Sequence, residues 1–197
     1  MRAMLGILWL FIGLGALIFH YGPGLTYSKL DTSGQHAQLA YQAAEAGRWT
    51  EAVDQYAEAL GSLPEGHEAD ALRLQLEKAK AQMMAAELPE ARESLIGLLQ
   101  EAIQNHADDR ELVNETRSTL ANAQYYSTWL MRLEGASKAE WEPEIEAARQ
   151  HYKALTEEAT SHGSSEEVKA AARDMEAAIR LARMDLKDLQ ALPLPSQ

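Results

Sequence analysis

Six histidines are the side chains best able to hold a metal or carry a proton, and their spacing argues against both roles. They stand at His20, His36, His67, His106, His151 and His162. None has a second histidine three or four residues away, so no helix face would present two imidazoles to one ion. His67-Glu68 opens like the zinc-protease pattern H-E-x-x-H, but position 71 is Ala. No histidine follows a Glu by three residues, which excludes the di-iron E-x-x-H pattern. Solvated histidines at helix ends are the expectation. Ser161, Ser164 and Ser165 cluster without a G-x-S-x-G elbow around them, and capping of a helix accounts for them. Glu157-Glu158 and Glu166-Glu167 read as solvated helix ends rather than catalytic dyads. Asn114-Glu115-Thr116 has the form of a glycosylation sequon but falls inside a predicted helix. There is no cysteine, hence no disulfide, thiolate nucleophile or thiolate metal site. No phosphate-cradling glycine loop is present. The expectation is a chain that is not an enzyme and carries no metal, cofactor or small-molecule substrate.

The elements that carry these residues divide by their punctuation. Residues 3–19 hold no charge, and Leu5 to Phe19 is almost entirely Leu, Ile, Phe, Trp and Gly. As a helix this run is roughly 25 Å long, short but workable against a hydrocarbon core of about 30 Å, with Trp9, His20 and Tyr21 near an interface. Residues 1–22 therefore read as an uncleaved signal anchor, with residues 3–21 in the membrane; a cleaved signal peptide and a buried core helix are the alternatives. Arg2 stands alone before the span, which places the N-terminus in the cytoplasm and the bulk outside it, on the periplasmic side in a bacterium. Gly22-Pro23-Gly24 is expected to end this helix, and residues 23–35 to form a polar linker. The net charge of −12 would repel phosphate backbones, so nucleic acid is an unsuitable partner.

Residues 36–190 read as seven helices, mostly paired in antiparallel hairpins, with no alternation that supports a strand. An Ala-rich helix starts near His36 and ends at Gly47. The next starts near Thr50 and stops before Pro64-Glu65-Gly66. A third runs from about His67 to Ala86, and Pro89 sits in the first turn of a fourth that ends near Asn105. Asp108 with Glu111, Ser137 with Glu140, and Ser164 with Glu167 have capping-box spacing and predict starts near 109, 138 and 165. Gly135 and Gly163 fall where C-terminal glycines belong. Leu192-Pro193-Leu194-Pro195 makes residues 191–197 a frayed, disordered tail.

Two of these segments repeat one another. Trp49 to Leu60 aligns with Leu88 to Leu99: Ala52 and Ala91, then Tyr56 and Leu95 four residues later, then a further packing position three on. Around the first copy stand Leu39-Ala40, Gly47, Ala59 and Pro64. This pattern resembles the tetratricopeptide repeat (TPR), and with the N-terminal span the chain resembles membrane-anchored bacterial TPR proteins. In the second copy Ala79, Ala91 and Leu95 fit, with Ala86 in place of the turn glycine. In the third, Leu120-Ala121 and then Ala148, Tyr152 and Leu155 fit. About 15 residues more than the 34-residue unit separate them, so the first helix overruns or the loop is long. The helix from Ser164 suits a cap on the array.

The resemblance implies an all-α, antiparallel helix-hairpin solenoid of about three units, and protein binding on its concave face. Family inner positions fall on Ala37, Tyr41 and Ala44 in unit one. They fall on Arg73, Leu76, Lys80, Met83 and Met84 in unit two, and on Ser118, Asn122, Tyr125, Tyr126 and Trp129 in unit three. Met and aromatic side chains are favoured at protein contacts. Repeats that clamp a partner's terminal carboxylate carry Lys and Asn where this chain has Ala37 and Tyr41, so an extended or helical apolar segment is the expected ligand. The function implied is a membrane-anchored adaptor or scaffold. An accessory structural subunit of a membrane complex, or a docking platform facing the cytoplasm, is the alternative.

Overall fold

The computed structural model describes residues 23–190. Among them are eight helices and no strand: α1 (Pro23–Glu45), α2 (Trp49–Ser62), α3 (Glu68–Met84), α4 (Leu88–Asn105), α5 (Arg110–Leu133), α6 (Lys138–His162), α7 (Ser165–Arg183) and α8 (Leu186–Gln190). The all-α class is as expected. No described helix is long and apolar enough to cross a membrane. The expected span at residues 3–21 and the expected tail at 191–197 lie outside the described residues. The chain divides into two compact units, Met1–Leu74 and Gln75–Gln197, with the division inside α3.

In the first unit α1 packs along α2 through small residues. Ala40, Ala43, Ala52 and Ala59 are wholly buried, which lets the two backbones approach closely, and Tyr56 is buried beside them. Burying a side chain of that size contributes about 2 kcal/mol. Leu39, the large member of the Leu39-Ala40 pair, is half exposed. Residues 23–35, expected as a linker, are helical from Pro23 onward. Proline lacks the N–H that a first helical residue leaves unpaired anyway, and its φ is preset, so it suits the first position of this helix; the helix expected to end at Gly22-Pro23 lies outside the described residues. The polar residues that suggested a linker find partners within or across the hairpin. Thr32 Oγ1 donates to the Ser28 carbonyl at 2.9 Å, and buried Ser33 Oγ donates to the Ala59 carbonyl of α2 at 2.8 Å. His36 Nδ1 lies 2.8 Å from Gln55 Oε1.

Three helices end in the same turn. Arg48 N–H donates to the Ala43 carbonyl, Glu87 N–H to Gln82, and Ala136 N–H to Met131, each five residues back. This closure requires a left-handed residue just past the helix, which is Gly47 (φ 72°) and Gly135 (φ 82°) in two cases but Ala86 (φ 65°) in the third. A Cβ in that region crowds the following carbonyl. Ala86 is exposed and buries nothing in return. Ala86→Gly is therefore expected to stabilise the protein by about 0.5–1 kcal/mol, read as a higher denaturant midpoint with unchanged slope; an unmoved midpoint would show that the turn carries no strain.

The second unit is built on α4 to α8. Ala91, Leu95, Leu98 and Ala102 form the buried stripe of α4, and Pro89 sits in its first turn as expected. The cap of α5 is Asp109 rather than Asp108: its Oδ1 accepts from Leu112 N–H at 3.1 Å. The cap thus falls one residue after the Asp108 suggested by the Asp108–Glu111 spacing, with Asp109 reaching the third N–H of the helix. The extra residues of the third repeat lengthen α5 and α6 themselves, joined by the short turn 134–137. At the start of α6, Glu140 accepts from the backbone N–H and hydroxyl of Ser137, both at 2.7 Å. The box at Ser164 also forms, with Glu167 N–H donating to Ser164 Oγ at 3.3 Å. Gly163 is not left-handed: it is extended (φ −94°, ψ 178°). It must be small, because a Cβ there would meet the Ala159 carbonyl oxygen at 2.8 Å and Glu167 Oε2 at 2.9 Å.

Trp141, Ile145, Ala148 and Tyr152, one face of α6, pack with Ala121 of α5, Ala178 and Leu181 of α7 and Leu189 of α8. The single last helix expected from Ser164 to residue 190 is broken at Met184, which is extended. Arg132 of α5 holds the break. Its guanidinium donates to the carbonyls of Leu181 and Met184 and lies over the Trp141 ring, 4.7 Å from the centroid.

Candidate functional site

One cavity in the second unit, of about 1040 Å³, gathers most of the positions singled out from the sequence. Lys80, Met83 and Met84 reach it from α3 at i, i+3 and i+4, a single helix face. Asn122, Tyr125, Tyr126 and Trp129 reach it from α5, where Thr119 and Leu130 extend the same face. Tyr152 of α6, Asp174 and Ala177 of α7, and Ala86 and Leu88 complete the lining.

Six of the thirteen expected positions do not line it: Ala37, Tyr41, Ala44, Arg73, Leu76 and Ser118. Leu76 is buried at 1% exposure, so it packs the core and cannot touch a partner. Leu72 and Leu76 lie on the buried stripe with Ala79, and each i+4 step turns about 40° around the helix, so Lys80 emerges at the edge of that stripe and faces the cavity. Tyr41 and Arg73 belong to the first unit. Tyr41 is exposed and donates its hydroxyl to Glu45 Oε1 at 2.8 Å; Arg73 is exposed and engaged.

The polar groups of the cavity have distinct states. Lys80 Nζ lies 2.6 Å from both Glu77 Oε1 and Glu115 Oε1. Burial pulls its pKa down, but the two carboxylates outweigh that and hold it above the usual lysine value. Tyr152, almost wholly buried, donates to Asn122 Oδ1 at 2.7 Å and so fixes the Asn122 amide. Tyr125 and Tyr126 meet edge to face, with centroids 5.9 Å apart at 85°. Burial raises the pKa of both phenols, so they stay neutral donors at physiological pH. Burial also raises Asp174, and Arg173 draws it back only partly. Trp129 Nε1 is a buried donor without a hydrogen-bond partner.

The histidines are partly as expected. His67, His106 and His162 stand at or beside helix ends, whereas His36 and His151 lie well inside helices. Burial, then Arg117, lowers the pKa of His151. Thr116 of the sequon is wholly buried in α5.

Two contributors escaped sequence reading. Asp174 lies on a helix read only as a cap, one exposed acid among thirty. Tyr152 was read as a packing residue, and it is one, but its hydroxyl end also reaches the cavity. No protein-family model matches the chain, and no curated protein or solved structure is detectably similar to it.

Proposed function

We propose that the chain is a membrane-anchored, TPR-like adaptor that binds an extended or helical segment of another protein. The anchor is residues 3–21, with the N-terminus cytoplasmic and the helical bulk outside the cytoplasm. It is not an enzyme, and it uses no metal, cofactor, nucleic acid or small-molecule substrate. One observation supports the reading above others: seven of the thirteen inner positions read from the repeat (Lys80, Met83, Met84, Asn122, Tyr125, Tyr126 and Trp129) line one cavity. Two methionines adapt to varied side chains, and three large aromatics supply rigid contact area, the composition of protein-binding hot spots. Sharing one membrane surface raises the effective concentration of a partner, so modest affinity suffices.

The test is photo-crosslinking of the full chain in its host cell, with a benzophenone amino acid at Tyr126 or, as control, at exposed Ile103 on α4. A discrete protein adduct is expected from Tyr126 and none from Ile103. Equal yields from both, or none from Tyr126, would remove the cavity as a docking site. A compartment-specific reporter fused after Gln197 tests orientation separately; activity in the cytoplasm would make the chain a platform for cytoplasmic partners.

A further inference from the structure

The cavity wall carries more information than its apolar character. Its one lysine is spent, since Lys80 is held by two carboxylates at 2.6 Å. Of the nearby cations on α7, Arg180 is paired with Glu176 at 3.0 Å. Asp174 lines the cavity and forms no ion pair among the described salt bridges. With the side chains beside the lining counted on both sides, four acids (Glu77, Glu115, Asp174 and Glu176) stand against three cations (Lys80, Arg173 and Arg180), on a chain whose net charge is −12. Aromatic faces are electronegative and attract cations, most strongly where water is partly excluded. The methionines would cover the methylene stem that carries such a cation.

From this juxtaposition, and resting on the protein-binding reading above, we infer that the cavity selects a basic anchor residue. An Arg or Lys of the partner, flanked by apolar residues, places its cation among Tyr125, Tyr126 and Trp129 against the Asp174 carboxylate. The partner segment is thus basic and apolar, complementary in charge to this chain.

A library of random linear peptides displayed on phage and selected on the full chain tests both readings. Expected are peptides sharing one Arg or Lys between apolar residues, which bind about tenfold more weakly to Asp174→Asn. Asp174→Lys should turn the selection toward acidic peptides, an outcome that a merely structural role for an exposed side chain would not produce. Peptides that are apolar without a basic residue, insensitive to Asp174→Lys yet weakened by Tyr126→Ala, would overturn the basic-anchor inference and leave protein binding at the cavity standing. No peptide sensitive to Tyr126→Ala would overturn both.

Discussion

Arg132→Ala is expected to cost about 3 kcal/mol of unfolding free energy, the largest effect of any change at a partly exposed residue of this chain. The guanidinium donates to two carbonyls, Leu181 and Met184, at the point where α7 stops. Those oxygens have no partner within the helix, and they carry the negative end of its dipole. A hydrogen bond from a charged donor contributes about 1.5–3 kcal/mol, and the stacking on Trp141 about 0.5–1 more. The guanidinium also fixes where α8 begins, and α8 delivers Leu189 to the core shared with Trp141 and Tyr152. Burial lowers the Arg132 pKa, but an arginine so lowered remains charged at neutral pH. Thermal unfolding followed by the fluorescence of Trp129 and Trp141 should show the loss as a melting point about 10 °C lower. Arg132→Lys should recover less than half, because one ammonium cannot serve two carbonyls and stack on a ring at once. Full recovery by lysine would mean that charge alone matters and that the fork geometry does not.

Arg132 also marks the boundary of what the sequence discloses. Helix punctuation was legible wherever one residue type performs one local task. Ser164 and Ser137 cap because a hydroxyl three residues before Glu satisfies orphan N–H groups, and that requires no knowledge of the fold. The inner face was legible for a similar reason: Met83, Met84, Tyr126 and Trp129 lie on helix faces set by a fixed period, so assigning the helices also assigns the faces. Residues 23–35 misled because a proline followed by polar residues suits a linker as well as the first turns of a helix, and the bond from Ser33 to the Ala59 carbonyl leaves no local motif. Leu76 misled because neighbouring positions on one helix face differ by a small rotation, which exchanges cavity for core. Arg132 and Asp174 were invisible because their roles depend on partners about fifty residues away. For Arg132 these are the carbonyls of α7; for Asp174, the rings of α5 that share its cavity. Long-range polar contacts leave no period and no motif.

Tyr152→Phe should give a protein that is less stable than the wild type at pH 8 and more stable at pH 12. At neutral pH the variant loses the 2.7 Å hydrogen bond to Asn122, at a cost of about 1 kcal/mol. The phenol is almost wholly buried, and burial, reinforced by the nearby Asp174 carboxylate, raises its pKa well above the ordinary 10.0. The folded state thus favours the neutral phenol. Its contribution to stability is complete below the unfolded value near 10 and is lost as pH climbs above it, because the unfolded chain releases the proton and the folded one keeps it. The wild type should lose up to about 1.4 kcal/mol per pH unit from this group alone, whereas the variant's phenyl ring has no proton to lose. The two curves should cross near pH 11, with the variant ahead by about 1–2 kcal/mol at pH 12. Tyr125 and Tyr126 shift in the same direction but are common to both proteins, so the difference isolates Tyr152. Parallel curves from pH 8 to 12 would mean that water reaches the phenol. Because folded Tyr152 keeps its proton over that range, its hydrogen bond to Asn122 persists, and binding of a partner peptide should be lost only together with global unfolding.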